Sequence, residues 1–227
     1  MIILAIDTSG KTASCALATK DKILAQFTIS NGLTHSETLM PMIEQMLAIS
    51  GISKHDVGLL ACSSGPGSFT GLRIGAACAK GLAMGLGLKI VPVSSLYSLA
   101  YNIYQTNCAI IPIMDARRDE VYTAIYGLAS KEIQTITPPT VCSIEEILQK
   151  AAELGKRAVF LGDGTFVHGD KILAHGFEIA PPHKLLQSAA SVAMAAFDNI
   201  ENAVSITDFE LEYIRLSQAE RELIARG

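Results

Sequence analysis

One unit occurs twice in this chain, 108 positions apart, and that duplication restricts the fold more than any other feature. Ile2-Ile3-Leu4-Ala5-Ile6-Asp7 returns as Ile110-Ile111-Pro112-Ile113-Met114-Asp115, and Ala13 to Ala18 returns as Val121 to Tyr126. Each copy is a short apolar run, read as a buried strand, closed by one Asp that stands six residues before the next strand. A repeated strand-Asp-turn-strand unit predicts two related α/β lobes, with a boundary near Thr106 that divides the chain into 1–105 and 106–227. Two short apolar hairpins also resemble each other by chance, so the remaining elements have to agree with this division.

The first half follows β-α-β logic. Ile2 to Ile6, Thr12 to Ala18 and Ile23 to Ile29 form a meander, with Gly10-Lys11 at its first turn. Thr34-His35-Ser36-Glu37 has the spacing of a capping box and predicts a helix start. Leu39, Met42, Ile43, Met46 and Leu47 continue at helical spacing, widened by Met40 and Ile49, until Gly51; Pro41 lies inside the span. A strand over Val57 to Cys62, a helix from about Thr70 to Met84, a strand over Lys89 to Val93 and a helix from Ser94 to about Tyr104 complete the lobe. The second half is sparser: a helix over Ile144 to Leu154, a strand over Ala158 to Leu161 ending in Gly162-Asp163-Gly164, and a helix over Leu185 to Ile200.

The chain is 49% hydrophobic and 18% charged, a surplus of apolar side chains that belongs in a core or an interface. The net charge of −4 and the absence of Lys/Arg runs leave no footprint for a polyanion, so any RNA would be gripped by another chain. The five cysteines never form a Cys-x-x-Cys pair, as expected of reduced cytoplasmic thiols. The apolar run from Ile2 to Ile6 is far shorter than a signal-peptide core, and no stretch is long enough to span a membrane.

Three groups of residues are candidates for chemistry or recognition. Asp7-Thr8-Ser9-Gly10 combines a carboxylate with two hydroxyls at a strand turn, which suits Mg²⁺ with an anion on the turn amides. An Asp in that place also serves simply to hydrogen-bond its own turn. Asp115 has the same two readings but is followed by Ala116-Arg117-Arg118. Gly65, Gly67 and Ser68 open a glycine-rich turn before a helix, where amides can meet phosphate; the turn lacks the Gly-Lys-Ser/Thr of a P-loop and equally suits a tight strand-to-helix connection capped by Ser68 or Thr70. Gly71, Gly75 and Ala79 recur every fourth residue beside the methionine-rich stripe of the preceding helix. That pairing suggests a helix-helix docking surface, for which simple core packing is the alternative.

Catalytic patterns are missing: the five histidines form no His-x-x-x-His or His-Glu-x-x-His, and no serine stands in Gly-x-Ser-x-Gly. A small ATPase or kinase using Asp7 and Asp115 across a lobe cleft remains the enzymatic alternative, and a peptidase would need a nucleophile that nothing here nominates.

Ile3-Leu4-Ala5-Ile6-Asp7-Thr8-Ser9, Thr34-His35-Ser36-Glu37 and Ser63 to Arg73 together resemble the TsaB (YeaZ) family over essentially the full chain, the block from Gly65 to Arg73 being the most specific. Leu211-Glu212-Tyr213-Ile214-Arg215 is similar to that family's C-terminal Pro-x-Tyr-Leu-Arg, with Leu211 in place of the proline and Ile214 in place of the leucine. The resemblance implies a two-lobed actin/sugar-kinase-like α/β fold and a paralogous relation to TsaD, the transferase that adds threonylcarbamoyl to adenosine next to the anticodon of tRNAs reading codons that start with A. It implies an accessory, non-catalytic role with no cofactor of its own, docking to TsaD with the ATPase TsaE joining, tRNA reached through the complex, and a weak ATP/ADP and Mg²⁺ site at the complex interface. TsaD-like enzymes hold a metal through a His-x-x-x-His after a Pro-Val step; after Pro92-Val93 the matching positions here are Ser95 and Leu99, which cannot replace two imidazoles. The expected contacts are Leu39, Met42, Ile43 and Met46 on the first helix and Leu72, Gly75 and Ala79 on the second, a surface that would also serve a homodimer.

Overall fold

The computed structural model describes residues 1–32, 34–103, 107–129 and 132–214. Strands β1 (Ile2–Asp7), β2 (Ala13–Thr19), β3 (Lys22–Ile29), β4 (Val57–Gly65) and β5 (Ile90–Ser94) form one sheet in the order β3-β2-β1-β4-β5. Strands β6 (Ala109–Arg117), β7 (Glu120–Ala129), β8 (Glu132–Ser143), β9 (Ala158–Leu161) and β10 (Glu178–Ile179) form a second in the order β10-β9-β6-β7-β8. Read from β8, the second order repeats the first. β1 and β6 each pair antiparallel with the following strand and parallel with the strand on the other side. The duplicated Asp-terminated strands are therefore the centres of two mixed sheets, and the fold is the expected two-lobed α/β architecture.

The helices are α1 (His35–Ser50), α2 (Phe69–Leu86), α3 (Ser95–Ala100), α4 (Ile144–Glu153), α5 (Thr165–Ala174) and α6 (Ala189–Phe197). Side chains alternate across the first sheet as the strand pleat requires. Leu4, Ile6, Cys15, Leu17 and Leu60 meet α1 and α2, while Ile3, Ala5, Ala16, Ala18 and Ala61 meet α6. Short alanine side chains on both sides let α6 lie close to the strands. The second sheet packs α4 and α5 through Ile111, Ile113 and Phe160, and α3 is wedged between the sheets through Leu96 and Leu99 against Ile110, Met114 and Tyr126.

The division at residue 105 needs a correction. The expected boundary residue, Thr106, and the expected end of the α3 helix, Tyr104, lie outside the described residues. The chain does cross to the second sheet there, but it returns: α6 covers the first sheet, Val204 bridges Ile90 antiparallel, and Phe209 is buried in the core under α1 and α2. Residues 189–214 thus complete the first lobe, and the second lobe is an insertion between two parts of the first.

Several local expectations also change. Thr34 is the N-cap of α1, but its hydroxyl bonds the Glu37 carboxylate at 2.6 Å instead of a backbone amide. A reciprocal capping box forms at Ser53 and Asp56. The helix expected over 185–200 is only Ala189–Phe197, and α3 is only six residues long. Strand β8 escapes a propensity reading because Pro138 and Pro139 interrupt it, which its position at the sheet edge tolerates.

Candidate functional site

The two lobes enclose a cleft of about 960 Å³, within the size range of small-molecule sites. Lys11 and Ser9 reach it from the β1-β2 turn, Gly67 and Ser68 from the β4-α2 turn, and Asp115 and Asp163 from the second lobe. Asp7 and Gly65 do not line it, which corrects the expectation that all of Asp7, Gly65, Gly67 and Ser68 would face a nucleotide.

Asp7 is fully buried beneath its turn. Its Oδ1 accepts the Ser9 amide at 2.9 Å and the Ser9 hydroxyl at 2.7 Å, so one oxygen organises the turn. Among the described residues its Oδ2 accepts no hydrogen bond, and the buried Ser63 hydroxyl on the neighbouring strand makes none. Burial raises the Asp7 carboxyl above its usual 3.8, against the Ser9 hydrogen bonds, the nearby Ser63 hydroxyl and the His35 charge. The folded state therefore holds this proton more tightly than the unfolded chain does. The stability it contributes is complete below the unfolded value and is lost as pH rises through the raised one. Asp7→Asn keeps the Oδ1 acceptor and removes the charge. The variant is expected to unfold at higher urea than the wild type at pH 8, with the gap closing toward pH 4; an Asn variant weaker at pH 8 would contradict this account.

The glycines of the second turn are explained by backbone meeting backbone. A side chain on Gly65, whose φ is +127°, would strike the Glu212 carbonyl, and one on Gly67, φ +157°, would strike the Ser9 carbonyl. Ser68 ties the two turns together: its amide donates to Ser9 O at 2.7 Å, and its hydroxyl accepts the Gly71 amide at 3.2 Å as the cap of α2. Gly71 packs on the Thr8 carbonyl and Gly75 on the Thr8 hydroxyl, which itself donates to Gly71 O at 2.7 Å. The loop is first of all a joint between β1 and α2.

On the opposite wall, Asp163 is nearly buried, and burial raises its carboxyl despite the Asp115 amide at 3.2 Å and the Lys11 charge across the cleft. In the sequence Asp163 marks only the end of a strand; the signal for a cleft residue is its Gly-Asp-Gly setting. The kinase alternative required Asp7 and Asp115 to face each other across the cleft, and only Asp115 does so. Ser95 and Leu99, at the positions matched to the transferase's imidazoles, are both fully buried, Leu99 between the lobes. Among the described residues no group of three His, Cys, Asp or Glu is placed to hold a metal ion.

The expected contact residues are also relocated. Leu39, Met42, Ile43, Met46 and Ala79 are 0–4% exposed and form the core against the first sheet, Leu72 is equally buried, and Gly75 is buried against Thr8. An apolar stripe marks what a helix buries, and here it is the chain's own sheet. The outward faces carry Met40, Ile49 and Met84, at 46%, 73% and 72% exposure, together with Arg73, Ala77, Gly81 and Gly85. Met40 Sδ lies 3.1 Å from Cys78 Sγ, so the two outward faces are neighbours. No helix among the described residues is long and apolar enough to cross a membrane.

Two five-stranded sheets of the same order around a cleft define a protein of the two-lobed α/β class. A family model described as TsaD, tRNA N6-adenosine threonylcarbamoyltransferase, matches residues 22–219. The tRNA threonylcarbamoyladenosine biosynthesis protein TsaB of Escherichia coli is 41% identical, with 98% of each chain covered. That of Bacillus subtilis is 32% identical over 99% of this chain and 98% of the relative. The solved structure of YeaZ from Pseudomonas aeruginosa superposes with a TM-score of 0.76 at 26% identity, covering 93% of this chain and 99% of the other. The chain belongs to the TsaB family, within the wider group that the transferase model describes.

Proposed function

We propose that this protein is the accessory subunit for threonylcarbamoylation of adenosine next to the anticodon in tRNAs that read codons starting with A. It docks to the TsaD transferase and activates it in the cytoplasm without performing the chemistry. The observation that carries this reading is the pair Ser95 and Leu99: where the resemblance places the transferase's metal-binding imidazoles, this chain has a sealed hydroxyl and a hydrocarbon. The open face of α1 and α2 supports the docking half of the proposal, because Met40, Ile49 and Met84 expose apolar surface beside small residues that admit a partner helix. TsaE joins the pair, tRNA is reached through the complex, and a second copy of this chain covers the same face when TsaD is absent. A weak ATP/ADP and Mg²⁺ site at the complex interface draws on Gly67 and Ser68, which line the cleft.

The test is threonylcarbamoyl transfer to an unmodified tRNA transcript by TsaD, TsaE and the enzyme that forms threonylcarbamoyl-adenylate, with and without this chain. Modification is expected only when the chain is present, and the chain alone is expected to modify nothing and to turn over no ATP. Full transfer without it sinks the proposal. The face has its own test. Ala77→Asp combined with Met84→Asp changes only exposed positions and is expected to abolish capture of TsaD while leaving the melting temperature nearly unchanged. Capture retained by this folded double variant would move the interface elsewhere.

A further inference from the structure

Arg73 is the fifth residue of α2, on its outward face, one helical repeat before Ala77 and two before Gly81. Its side chain is not loose. The Nε–H donates to the Tyr213 hydroxyl at 3.2 Å, and the guanidinium carbon lies 3.8 Å from the centre of the Phe69 ring. Tyr213 in turn packs on Phe69 with ring centres 5.2 Å apart. Backbone contacts hold Tyr213 there, since the preceding amide, that of Glu212, donates to Ser64 O at 2.7 Å and the Glu212 carbonyl rests on Gly65. The clamp engages Nε and one face of the guanidinium and leaves the two terminal nitrogens unused by any ion pair among the described residues.

The first turn of α2, which precedes Arg73, contains no acid, so nothing on that turn offsets the cation. A rigid, exposed and unneutralised guanidinium is suited to a planar oxyanion, which takes two parallel N–H donors from its fork. It also lies at one end of the open face of α1 and α2, where a charged contact would fix the register of a helix packing over Ala77 and Gly81.

We propose that Arg73, clamped by Phe69 and Tyr213, is the anchor of the docking face and receives a carboxylate of the partner protein in a two-point contact. The inference rests on the docking reading above and adds the chemistry of its recognition. Tyr213 is a positioning residue: it holds the fork and does not touch the partner.

The experiment is titration calorimetry of the full chain against TsaD, both free of nucleotide, with the melting temperature of each variant as a folding control. Arg73→Ala is expected to weaken binding about thirtyfold or more, as for an arginine hot spot. Arg73→Lys keeps the charge without the fork and is expected to lose about tenfold. Tyr213→Phe is expected to lose about threefold through the freed rotamers, and to add nothing in the Arg73→Ala background, a coupling that a merely structural tyrosine would not show. Wild-type binding with Arg73→Ala within twofold of it overturns the anchor and leaves the docking reading standing. Arg73→Lys equal to wild type overturns the two-point contact. A loss that appears only with added ADP or ATP assigns the fork to phosphate and overturns the carboxylate. Wild-type chain that does not bind TsaD at all overturns the docking reading and the anchor together.

Discussion

Gly71→Ala is expected to cost the protein more than about 3 kcal/mol of stability, at or beyond the upper end for overpacked core positions. The cause is the short distance between two backbones. Gly71 lies in regular α-helix, so alanine brings no conformational penalty and would ordinarily be the better helix former. Its methyl group would meet the Thr8 carbonyl, a backbone atom at the end of the central strand that cannot rotate away. The same carbonyl region is fixed by Asp7 and Ser9 below and by Ser68 above. Either β1 or the start of α2 must move, and both carry core side chains. Urea unfolding of the purified variant measures this directly. A loss below about 1 kcal/mol, the range of tolerated repacking, would show that the joint is softer than its geometry indicates.

Phe209→Ala is expected to cost about 3–5 kcal/mol, the usual range for emptying a buried aromatic site. Phe209 is 1% exposed and stands among Leu39, Met42 and Met46 under α1 and α2, although more than a hundred residues separate it from the last strand of the sheet it completes. Lys80 lies over the ring with its nitrogen 5.8 Å from the centre, so part of the loss is a cation-π contact. A variant close to wild type in chemical denaturation would mean that residues 203–214 are an ornament of the first lobe and not a part of its core.

The duplicated strand pairs and the glycine joint were legible in the sequence because each leaves a local signature. A strand pair shows as short apolar runs at fixed offsets from an Asp, and a close backbone approach shows as glycines at a strand-helix turn. The placement of Met42 and Ile43 was not legible. Helical spacing identifies which side chains a helix buries, but the covering surface is a tertiary fact, and a stripe against the chain's own sheet reads the same as a stripe against a partner. The outward residues that matter for docking, Ala77, Gly81 and Arg73, form no hydrophobic pattern at all. The Asp at the end of β1 was visible, but its burial was not, because the turn that follows it is covered from a distant part of the chain: Gln187, two residues before α6, packs on Gly10. Tyr213 could be matched to a family signature, while its contact with Arg73 spans 140 positions and has no local trace. Arg215, the last residue of that signature, lies outside the described residues.

The return of the chain to the first lobe sets an order of events during synthesis. The inserted lobe has its whole sheet in residues 109–179 and can close on itself once that stretch has left the ribosome. The lobe that begins the chain cannot, because one face of its sheet waits for α6 and its core waits for Phe209. The Ser14 hydroxyl that finally receives the Ala189 amide is made 175 residues earlier. Synthesis from the N-terminus usually lets the first-made unit fold first. Here the later-made lobe matures sooner, and the earlier strands remain open, with apolar surface to be shielded from other nascent chains, until α6 and Phe209 are in place.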